Sequence, residues 1–463
     1  MPKNIIFMPH ANLQYSQLPP ARRAWTIDAS YKPIFDAVSR LKTPIGFEAS
    51  GESMAIIARE RPSVLDQLKG LIRDGLVEPV GSPHTHIMLS NIDPEIGLQS
   101  LIHGLDTWEK LIGVRPVTGW NPECSWAEFI PEIYRSAGYE TLIADADSYL
   151  LGSVPGLRQQ TGLKYDVCGH SNKNALFAIE KHIADRPDVL RRLFAPQRLA
   201  NGLTVLLRSD MLCNLLLWYL MGATEGNRAE PVKIEEVRTA LARWRDRMPA
   251  DGGYLMPYAE DAEYVGTTAY FYVKQFGQAR FFEPAPESVD RFVELLECAN
   301  KLGFTFKSPA GYLKGASTIE ATGFEAIDNG CAWHGGTARA WTNTSHARII
   351  DPVCRSLFDG LKDCAAALKL DSPWDHDDFK SVLHSIETAY VSDARWPPAP
   401  TSPGRFNVTE ALDALDQANR KLRELMKRRG LANRVALYSA DILQTQIDGI
   451  RGELMAFKYF GEK

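Results

Sequence analysis

The sequence predicts an α/β fold in which parallel strands close, or nearly close, into a barrel that is followed by a helical domain. Short apolar strands alternate with amphipathic helical stretches through the first two thirds of the 463 residues. About six or seven of these strands end in polar side chains, and this count favours a barrel over an open sheet. Beyond residue 300 the alternation fades and helical periodicity dominates. We therefore expect a barrel domain at residues 1–300 and a mainly helical C-terminal domain at residues 301–463.

The predicted strands and helices follow one another with Gly and Pro near their ends. The strands are predicted at residues 4–9, 44–48, 77–82, 118–121, 141–144, 203–207, 253–258 and 304–309. The helices are predicted at residues 31–41, 64–72, 94–112, 126–137, 211–221, 412–425 and 442–454. Residues 150–198 are polar and predict a loop-rich excursion from the barrel. The proline-rich segment 396–404 predicts a stiff linker.

Composition excludes several classes of function. The net charge of −5 gives no basic excess for binding nucleic acid or an anionic membrane. The most apolar run, at residues 211–221, is too short to span a bilayer, and the N-terminus does not have the pattern of a signal peptide. Seven scattered cysteines without a CxxC pair suit buried thiols in a reducing compartment. We expect a cytoplasmic protein, and composition leaves monomer and homo-oligomer both open.

Two carboxylates lie at the carboxyl ends of predicted strands. Glu123 follows the strand at 118–121, and Asp261 follows the strand at 253–258. A barrel would bring both to one rim, where two carboxylates are the minimum for retaining glycoside chemistry. Trp120 and Trp126 flank Glu123 and are suited to stacking on sugar rings. The alternatives are two unrelated rim acids, because the chain holds 57 Asp and Glu residues, and ordinary core tryptophans.

Three histidines near strand ends suggest a second chemistry. His10, His84 and His86 include an HxH pair, which can bind zinc, and a metal at a barrel rim would suit a polysaccharide deacetylase. Against this, Asn12 is a poor metal ligand, and no Asp stands beside His10. The interpretation that a neutral histidine donates to a sugar hydroxyl requires fewer other residues than a metal site does. We therefore expect no metal at these residues.

Four segments in order resemble the motifs of glycoside hydrolase family 57. Its opening motif, His-x-His-Leu-Pro-Tyr in branching enzymes, is similar to His10-Ala11-Asn12-Leu13-Gln14-Tyr15. Its second region, in which Thr-His precedes a small apolar stretch, is similar to Pro83-His84-Thr85-His86-Ile87-Met88-Leu89. Its Trp-Leu-Pro-Glu-Cys is close to Trp120-Asn121-Pro122-Glu123-Cys124, and its Asp-Ala-Glu-Leu-Phe-Gly to Asp261-Ala262-Glu263-Tyr264-Val265-Gly266. Residues 392–396 and the segment with Trp333 and Trp341 loosely resemble its later helical regions.

The resemblance implies an incomplete (β/α)7 TIM-like barrel with a helical C-terminal domain that completes the cleft. It implies a carbohydrate substrate, retaining action on α-glycosidic bonds, and no metal or organic cofactor. Glu123 would be the nucleophile and Asp261 the general acid/base. The candidate substrate-binding residues are His10, Asn12, His84, His86, Trp120, Trp126, Arg208, Asp210, Glu263 and Trp333.

The chain departs from the family motifs at residues that would contact sugar. Asn12 replaces a His and Gln14 a Pro; Asn121 replaces a Leu, and Thr267 stands where branching enzymes often have His. The catalytic pair is present, so these departures affect the identity of the sugar more than the chemistry. Hydrolysis, transfer to a second sugar, and sugar binding without turnover stay open.

Overall fold

The computed structural model describes residues 2–15, 17–163, 177–222, 224, 228–250, 252–273, 278–332, 336–342, 344–395, 406–431 and 437–456. Within them the strands are β1 (Lys3–Phe7), β2 (His10–Ala11), β3 (Ile45–Ala49), β4 (Val77–Gly81), β5 (Thr118–Trp120), β6 (Thr141–Asp145), β7 (Gln197–Arg198), β8 (Thr204–Arg208), β9 (Gly253–Tyr258), β10 (Gly266–Thr267), β11 (Tyr270–Val273), β12 (Gln278–Phe281), β13 (Pro284–Ala285), β14 (Thr305–Phe306) and β15 (Ile319–Glu320).

The helices in the same residues alternate with the strands as far as β9 and dominate after residue 345. They are α1 (Arg23–Thr26), α2 (Lys32–Leu41), α3 (Gly51–Glu60), α4 (Pro62–Arg73), α5 (Pro94–Ile112), α6 (Ile130–Ala137), α7 (Ala146–Ser153), α8 (Leu157–Thr161), α9 (Ala178–Ile183), α10 (Pro187–Phe194), α11 (Asp210–Met221), α12 (Ile234–Arg247), α13 (Glu287–Lys301), α14 (Pro309–Leu313), α15 (Ser345–Leu368), α16 (Asp377–Ala389), α17 (Phe406–Arg428) and α18 (Leu437–Ala456). The predicted α/β fold with a parallel-rich sheet is therefore confirmed.

Two sheets carry most of the strands. The larger has the order β15-β7-β8-β6-β5-β4-β3-β2, and all its neighbours are parallel except β7 and β8. The smaller has the parallel order β14-β1-β9. The chain joins them directly, because β2 continues β1 after two residues. On the other side, the Ser209 N–H after β8 donates to the Met256 carbonyl oxygen of β9 at 3.1 Å.

The strands are buried on both faces, as expected of parallel strands that are covered by helices. In β1 and just after it, Ile5 and Phe7 belong to the large core that packs under the helices. Ile6 and Met8 belong to a second core, together with Trp120 and other strand residues. Successive side chains of a strand point to opposite faces, so this division follows from the alternating positions.

The ends of the long helix α5 follow from its capping residues. The Asp93 carboxylate accepts a hydrogen bond from the Glu95 N–H at 2.8 Å, and Pro94 occupies the first helical position. The helix ends at Gly113, whose φ of 85° is the left-handed conformation that glycine adopts without strain. The prediction of a helix at 94–112 is confirmed at both ends.

Two predicted elements differ from the structure. The helix expected from residue 126 begins at Ile130. The Trp126 N–H instead donates to the Gly330 carbonyl oxygen at 2.9 Å, so residue 126 belongs to the preceding turn. Where described, the predicted loop-rich excursion at 150–198 is mainly helical. Its helix α10 is polar in composition but buries Val189, Leu190 and Phe194 on one face.

The C-terminal helices α15 to α18 pack against one another, and α16 also contacts α5. A short turn, Ser392–Arg395, follows α16 and contacts the loop after β4. There the Ser392 N–H donates to the His86 carbonyl oxygen at 2.7 Å. Strands β14 and β15 lie beyond the predicted domain boundary at residue 300, yet they pair with β1 and β7. The predicted linker at 396–404 lies outside the described residues.

None of the described helices is long and apolar enough to cross a membrane. Six cysteines of the described chain are free and buried, as predicted for buried thiols.

Candidate active site

The site begins with His10, which the strand register places between two carboxylates. In the parallel pair β2–β3, His10 lies opposite Glu48, and a bridge on its other side pairs it with Asp261. His10 Nδ1 hydrogen-bonds to the Glu48 carboxylate, and His10 Nε2 lies 3.5 Å from Asp261 Oδ1. Neighbouring parallel strands end at the same edge of a sheet, so all three meet at the carboxyl edge.

His86 extends this group toward the C-terminal helices. Its Nε2 lies 3.2 Å from His10 Nε2, and its Nδ1 lies 2.8 Å from Ser392 Oγ and 3.7 Å from Asp393 Oδ2. We call His10, Glu48, His86, Asp261 and Asp393 the carboxylate cluster. All but Asp261 are almost completely buried.

The two histidines of the carboxylate cluster carry different charges. Burial alone would lower the pKa of His10, but the charge and hydrogen bond of Glu48 outweigh it and raise the pKa to about 10. Burial and the charge of His10 lower the pKa of His86 well below its usual value. His10 is therefore an imidazolium at neutral pH, which corrects the expectation of a neutral ring. Neutral His86 accepts from His10 through Nε2 and donates to Ser392 through Nδ1, a tautomer assigned from these contacts.

Glu123 lies in a strained turn directly after β5. Glu123 has φ 57° and Cys124 has φ 46°, a conformation that side chains rarely adopt and that costs about 1–3 kcal/mol per residue. Two interactions hold the turn. The Ala332 N–H donates to the Glu123 carbonyl oxygen at 2.7 Å, and the Asn121 side chain donates to Ser125. Strain that is held in place in this way is typical of functional positions.

The carboxyl groups of Glu123 and Asp261 both resist ionisation. Burial, assisted by the charge of Asp393, raises the pKa of Glu123 to about 8, although His10 and Arg208 oppose it. Burial, together with Glu260 and Glu123 among other charges, raises the pKa of Asp261 well above its usual value. Glu123 and Asp261 nevertheless keep partial solvent exposure, so both can be reached from outside. The arrangement can therefore hold protons on carboxyl groups at neutral pH.

Asn12 and Glu263 organise the loop after β2. Asn12 Nδ2 donates to Asp393 Oδ2 at 2.9 Å, and its N–H donates to Glu263 Oε1 at 2.9 Å. The Tyr31 hydroxyl also donates to Glu263. Gln14 Oε1 accepts from the His86 N–H at 3.0 Å. The departures Asn12 and Gln14 thus hold other residues of the site in place.

Arg208 is a buried cation among several carboxylates. Its guanidinium lies 2.8 Å from Asp210, 3.4 Å from Asp145 and 3.6 Å from Glu260. Burial and the charge of Asp210 raise the pKa of Asp145 to about 7. Asp210 and Arg208 are therefore engaged with the protein, and Arg208 lies beside Glu260 and opposes the upward pKa shift of Glu123.

The remaining predicted residues lie in different surroundings. The Trp120 ring stacks on His10 with centroids 5.5 Å apart, so it lines the carboxylate cluster from the inner core. Trp126 packs against Phe324 in the large core, the position of an ordinary core aromatic. Trp333 lies outside the described residues. Thr267 donates from its hydroxyl to the Glu263 carbonyl oxygen at 2.5 Å and so closes the turn after Asp261.

His84 does not join His10 and His86. Its ring stacks on His103 with centroids 3.5 Å apart, so the three histidines of the deacetylase alternative do not converge. Residues 83–86 form no strand, and His84 and His86 therefore need not face the same side.

Sequence reasoning missed four acids that the structure adds to the site. Glu48 is the penultimate residue of β3, so the strand-end pattern that pointed to Glu123 could have identified it. Glu260 and Asp145 also stand at strand ends. Asp393 was quoted only within a loosely similar segment, and no local signal marks it because its partners lie more than 300 positions away.

A parallel α/β fold with partly exposed carboxyl groups and a buried histidine at its carboxyl edge has the features of a carbohydrate-cleaving enzyme. The sequence model of glycosyl hydrolase family 57 matches residues 6–298. The chain therefore belongs to glycosyl hydrolase family 57, which confirms the resemblance drawn from the four motifs.

Solved structures of this fold include enzymes of several activities. A branching enzyme from Pyrococcus horikoshii is 13% identical, with a TM-score of 0.63 over 97% of this chain and 95% of that one. An α-amylase from Thermotoga maritima is 13% identical, with a TM-score of 0.58 over 100% of both chains. A 4-α-glucanotransferase from Thermococcus litoralis is 14% identical, with a TM-score of 0.57 over 92% of this chain and 58% of that one. Among curated proteins, none is similar enough in sequence to count as a relative.

Proposed function

We propose that the protein is a retaining glycoside hydrolase or transglycosylase that acts on α-glycosidic bonds of a glucan-like substrate. The proposal is carried by the electrostatic interaction between Glu123 and Asp261 at the carboxyl ends of β5 and β9, in a chain of glycosyl hydrolase family 57. The charge of Glu123 contributes to the raised pKa of Asp261, and His10 acts on both carboxyl groups. Family relatives of the same fold carry branching, transferase and amylase names, which supports an α-glucan.

In the proposed first step, the Glu123 carboxylate attacks the anomeric carbon and the bond from that carbon to the leaving oxygen breaks. Asp261 gives its proton to the leaving oxygen, so a neutral alcohol departs and a glycosyl ester remains on Glu123. In the second step Asp261 takes a proton from water or from an acceptor sugar, whose oxygen displaces Glu123. Both steps invert the anomeric carbon, so its configuration is retained overall.

The protonation states support this division of roles in part. Asp261 has its pKa raised by burial and by Glu260, which suits a group that begins protonated. Glu123 must ionise to attack, and its pKa of about 8 means that the active form increases with pH. His10 and Arg208 are the cations that oppose the upward shift at Glu123 and so favour its ionised form.

We also propose that the strands β1/β2, β3, β4, β5, β6, β8 and β9 form an incomplete (β/α)7 barrel. The parallel order of the larger sheet and the hydrogen bond from Ser209 to Met256 support a ring in which β8 is next to β9. The helices after residue 345 would then complete the cleft through Asp393, which contacts Asn12 and His86.

The test separates the two carboxylates by their roles. Glu123→Gln should lower turnover by several orders of magnitude on every α-glycoside, because no glycosyl ester can form. Asp261→Ala should still react with an activated leaving group that needs no proton, and then stall for want of a base. Added azide should rescue Asp261→Ala and give a product of retained configuration. Azide with Glu123→Gly should give the inverted product instead.

Two exposed acids supply matched controls. Glu128 lies in the same segment as Glu123, and Asp290 lies on the surface of α13. The variants Glu128→Gln and Asp290→Ala should therefore both keep the parent activity. The same azide anomer from both active-site variants would overturn the assignment. So would parental activity in Glu123→Gln. A parent protein inactive on a panel of α-glucans and aryl α-glycosides would instead favour a sugar-binding protein.

A further inference from the structure

Three histidines from three separate elements meet beside the loop after β4. His84 lies in the loop after β4, His103 on α5 and His384 on α16. In the described part of the chain they form the one group of three His, Cys, Asp or Glu residues with ligand atoms close enough for a shared metal ion. We call His84, His103 and His384 the histidine cluster.

The rings of the histidine cluster are close together. His84 and His103 stack with centroids 3.5 Å apart at 9°, and His384 lies 4.8 Å from each of them, edge-on. One nitrogen from each ring can be chosen so that all three lie within 4.8 Å of one another. His384 Nδ1 is shielded from solvent and lies 3.8 Å from Glu387 Oε2.

Two glutamates supply negative charge beside the histidine cluster. Glu387 is 1% exposed, and its Oε2 accepts a hydrogen bond from His103 Nδ1 at 3.0 Å. This contact resembles the carboxylate–histidine pairs that orient metal ligands, because it leaves the other ring nitrogen free to coordinate. Glu52 Oε2 lies 3.8 Å from His84 Nε2 and is partly exposed. Two carboxylates would balance the charge of one divalent cation.

We propose that His84, His103 and His384, with Glu52 as fourth ligand, bind one Zn²⁺ ion. Imidazole and carboxylate ligands in a four-coordinate set suit zinc, whereas Mg²⁺ and Ca²⁺ prefer all-oxygen sites. Each ring must coordinate through an unprotonated nitrogen, and the hydrogen bond from His103 Nδ1 to Glu387 leaves His103 Nε2 for this role. The proposal does not depend on the catalytic roles of Glu123 and Asp261.

Zinc binding requires the three rings to move and Glu52 to approach, because Glu52 lies near His84 but is not among the residues whose ligand atoms are all within 4.8 Å of one another. Ligand nitrogens of a tetrahedral site are about 3.3 Å apart when the Zn–N bonds are about 2.0–2.1 Å long. The nitrogens of the histidine cluster are at most 4.8 Å apart, so each ring must move by roughly 1 Å. The stacked rings of His84 and His103 must also tilt, because the lone pairs of parallel rings do not point at one metal.

The ion would fasten the C-terminal helices to the sheet. His384 and Glu387 lie on α16, His103 on α5, and Glu52 in the first turn of α3. Zinc would therefore join three helices with the loop that carries His86 into the carboxylate cluster. This places a structural ion next to the site without contact with the reacting atoms.

The test is zinc binding by full-length protein that has been treated with a chelator and freed of it. Calorimetric titration with ZnCl₂ should give one site per chain, and MgCl₂ should give none. The double variant His103→Gln/His384→Gln should lose at least about 100-fold in zinc affinity, and Glu387→Gln about 10–100-fold. Both altered histidines are partly exposed, so the variant should still fold. Co²⁺ in the parent protein should give the strong visible absorption of a tetrahedral site.

A matched control uses histidines outside the cluster. The double variant His182→Gln/His376→Gln removes two partly buried histidines and should bind zinc as tightly as the parent. The proposal is overturned if the parent binds no zinc, or if the two double variants bind it equally. It is also overturned if cobalt gives only the weak spectrum of an octahedral surface complex.

Discussion

The carboxylate cluster and the histidine cluster each include a histidine from the loop after β4, yet the pKa of His10 in the first and the pKa of His84 in the second are shifted in opposite directions. In the first, carboxylates outnumber histidines, and the pKa of His10 is raised to about 10 despite burial. In the second, histidines outnumber carboxylates, and burial with two neighbouring rings lowers the pKa of His84. Burial lowers the pKa of both histidines, and at His10 the close Glu48 carboxylate reverses its effect.

The largest expected effect is a difference in the free energy of unfolding between a variant of the carboxylate cluster and a variant beside the histidine cluster. Glu48→Gln removes the partner of a buried cation and should lower the free energy of unfolding by about 3–5 kcal/mol. Glu387→Gln removes the partner of a partly exposed histidine and should cost about 1–2 kcal/mol in chelator-treated protein. Urea denaturation of both variants measures the difference. Equal losses would mean that the two clusters do not differ in the way described.

The second prediction concerns the pH dependence of kcat/KM. Glu123 must be ionised to act as the proposed nucleophile, so the acid limb should rise through its pKa, about 8. At pH 7 only about one tenth of Glu123 would be ionised. Asp393→Asn removes a negative charge that disfavours ionisation, so the limb should move to lower pH and kcat/KM at pH 6 should increase.

The Asn side chain in Asp393→Asn keeps an oxygen that can accept from Asn12, so the loop contact is preserved. Asp375→Asn, an exposed residue in the same helical region, is the control and should leave the limb in place. An acid limb that stays fixed, or moves to higher pH, in Asp393→Asn would contradict the charge coupling.

The smallest expected effect tests the link between the two clusters. The buried Thr85 hydroxyl donates to the Glu387 carbonyl oxygen at 2.9 Å and lies between His84 and His86 in the chain. Thr85→Val should lower the free energy of unfolding by about 1 kcal/mol, because the carbonyl oxygen loses one of its two donors and keeps only the Tyr390 N–H. Thr85→Ser keeps the hydroxyl and should recover most of the loss. Equal unfolding midpoints for Val and Ser would show that the hydrogen bond contributes nothing.

The sequence predicted those parts of the fold that local patterns determine. Helix α5 has an N-cap, a proline and a terminal glycine in sequence, and its bounds agree with the prediction. Strand ends near Glu123 and Asp261 were also predicted. The predicted start of α6 was wrong because the turn before it has positive φ angles at Glu123 and Cys124, which depend on contacts with residues near 330. No pattern within the segment indicates such contacts.

The candidate site was predictable to the extent that its residues share one sheet edge. His10, Glu123 and Asp261 each follow a strand, so a parallel sheet alone implies that they are close. The HxH spacing at His84 and His86 was misleading, because it implies a common side only in an extended strand. His103 and His384 lie within helices, where an isolated histidine carries no signal of its partners.

The hydrogen bond between Asn12 and Asp393 joins residues that are 381 positions apart. Ribosomes add about 5–20 residues per second, so roughly 20–75 s separate the synthesis of these two residues. A nascent chain can already contain every sheet strand, together with Glu123 and Asp261, while Asp393 and Ser392 are still unmade. Until they arrive, His86 lacks the partner of its Nδ1, and Glu123 lacks one of the charges that, together with burial, raise its pKa. The site is thus completed only after every strand of the sheet has been made, and a chain that stops before α16 would carry Glu123 and Asp261 without these neighbours.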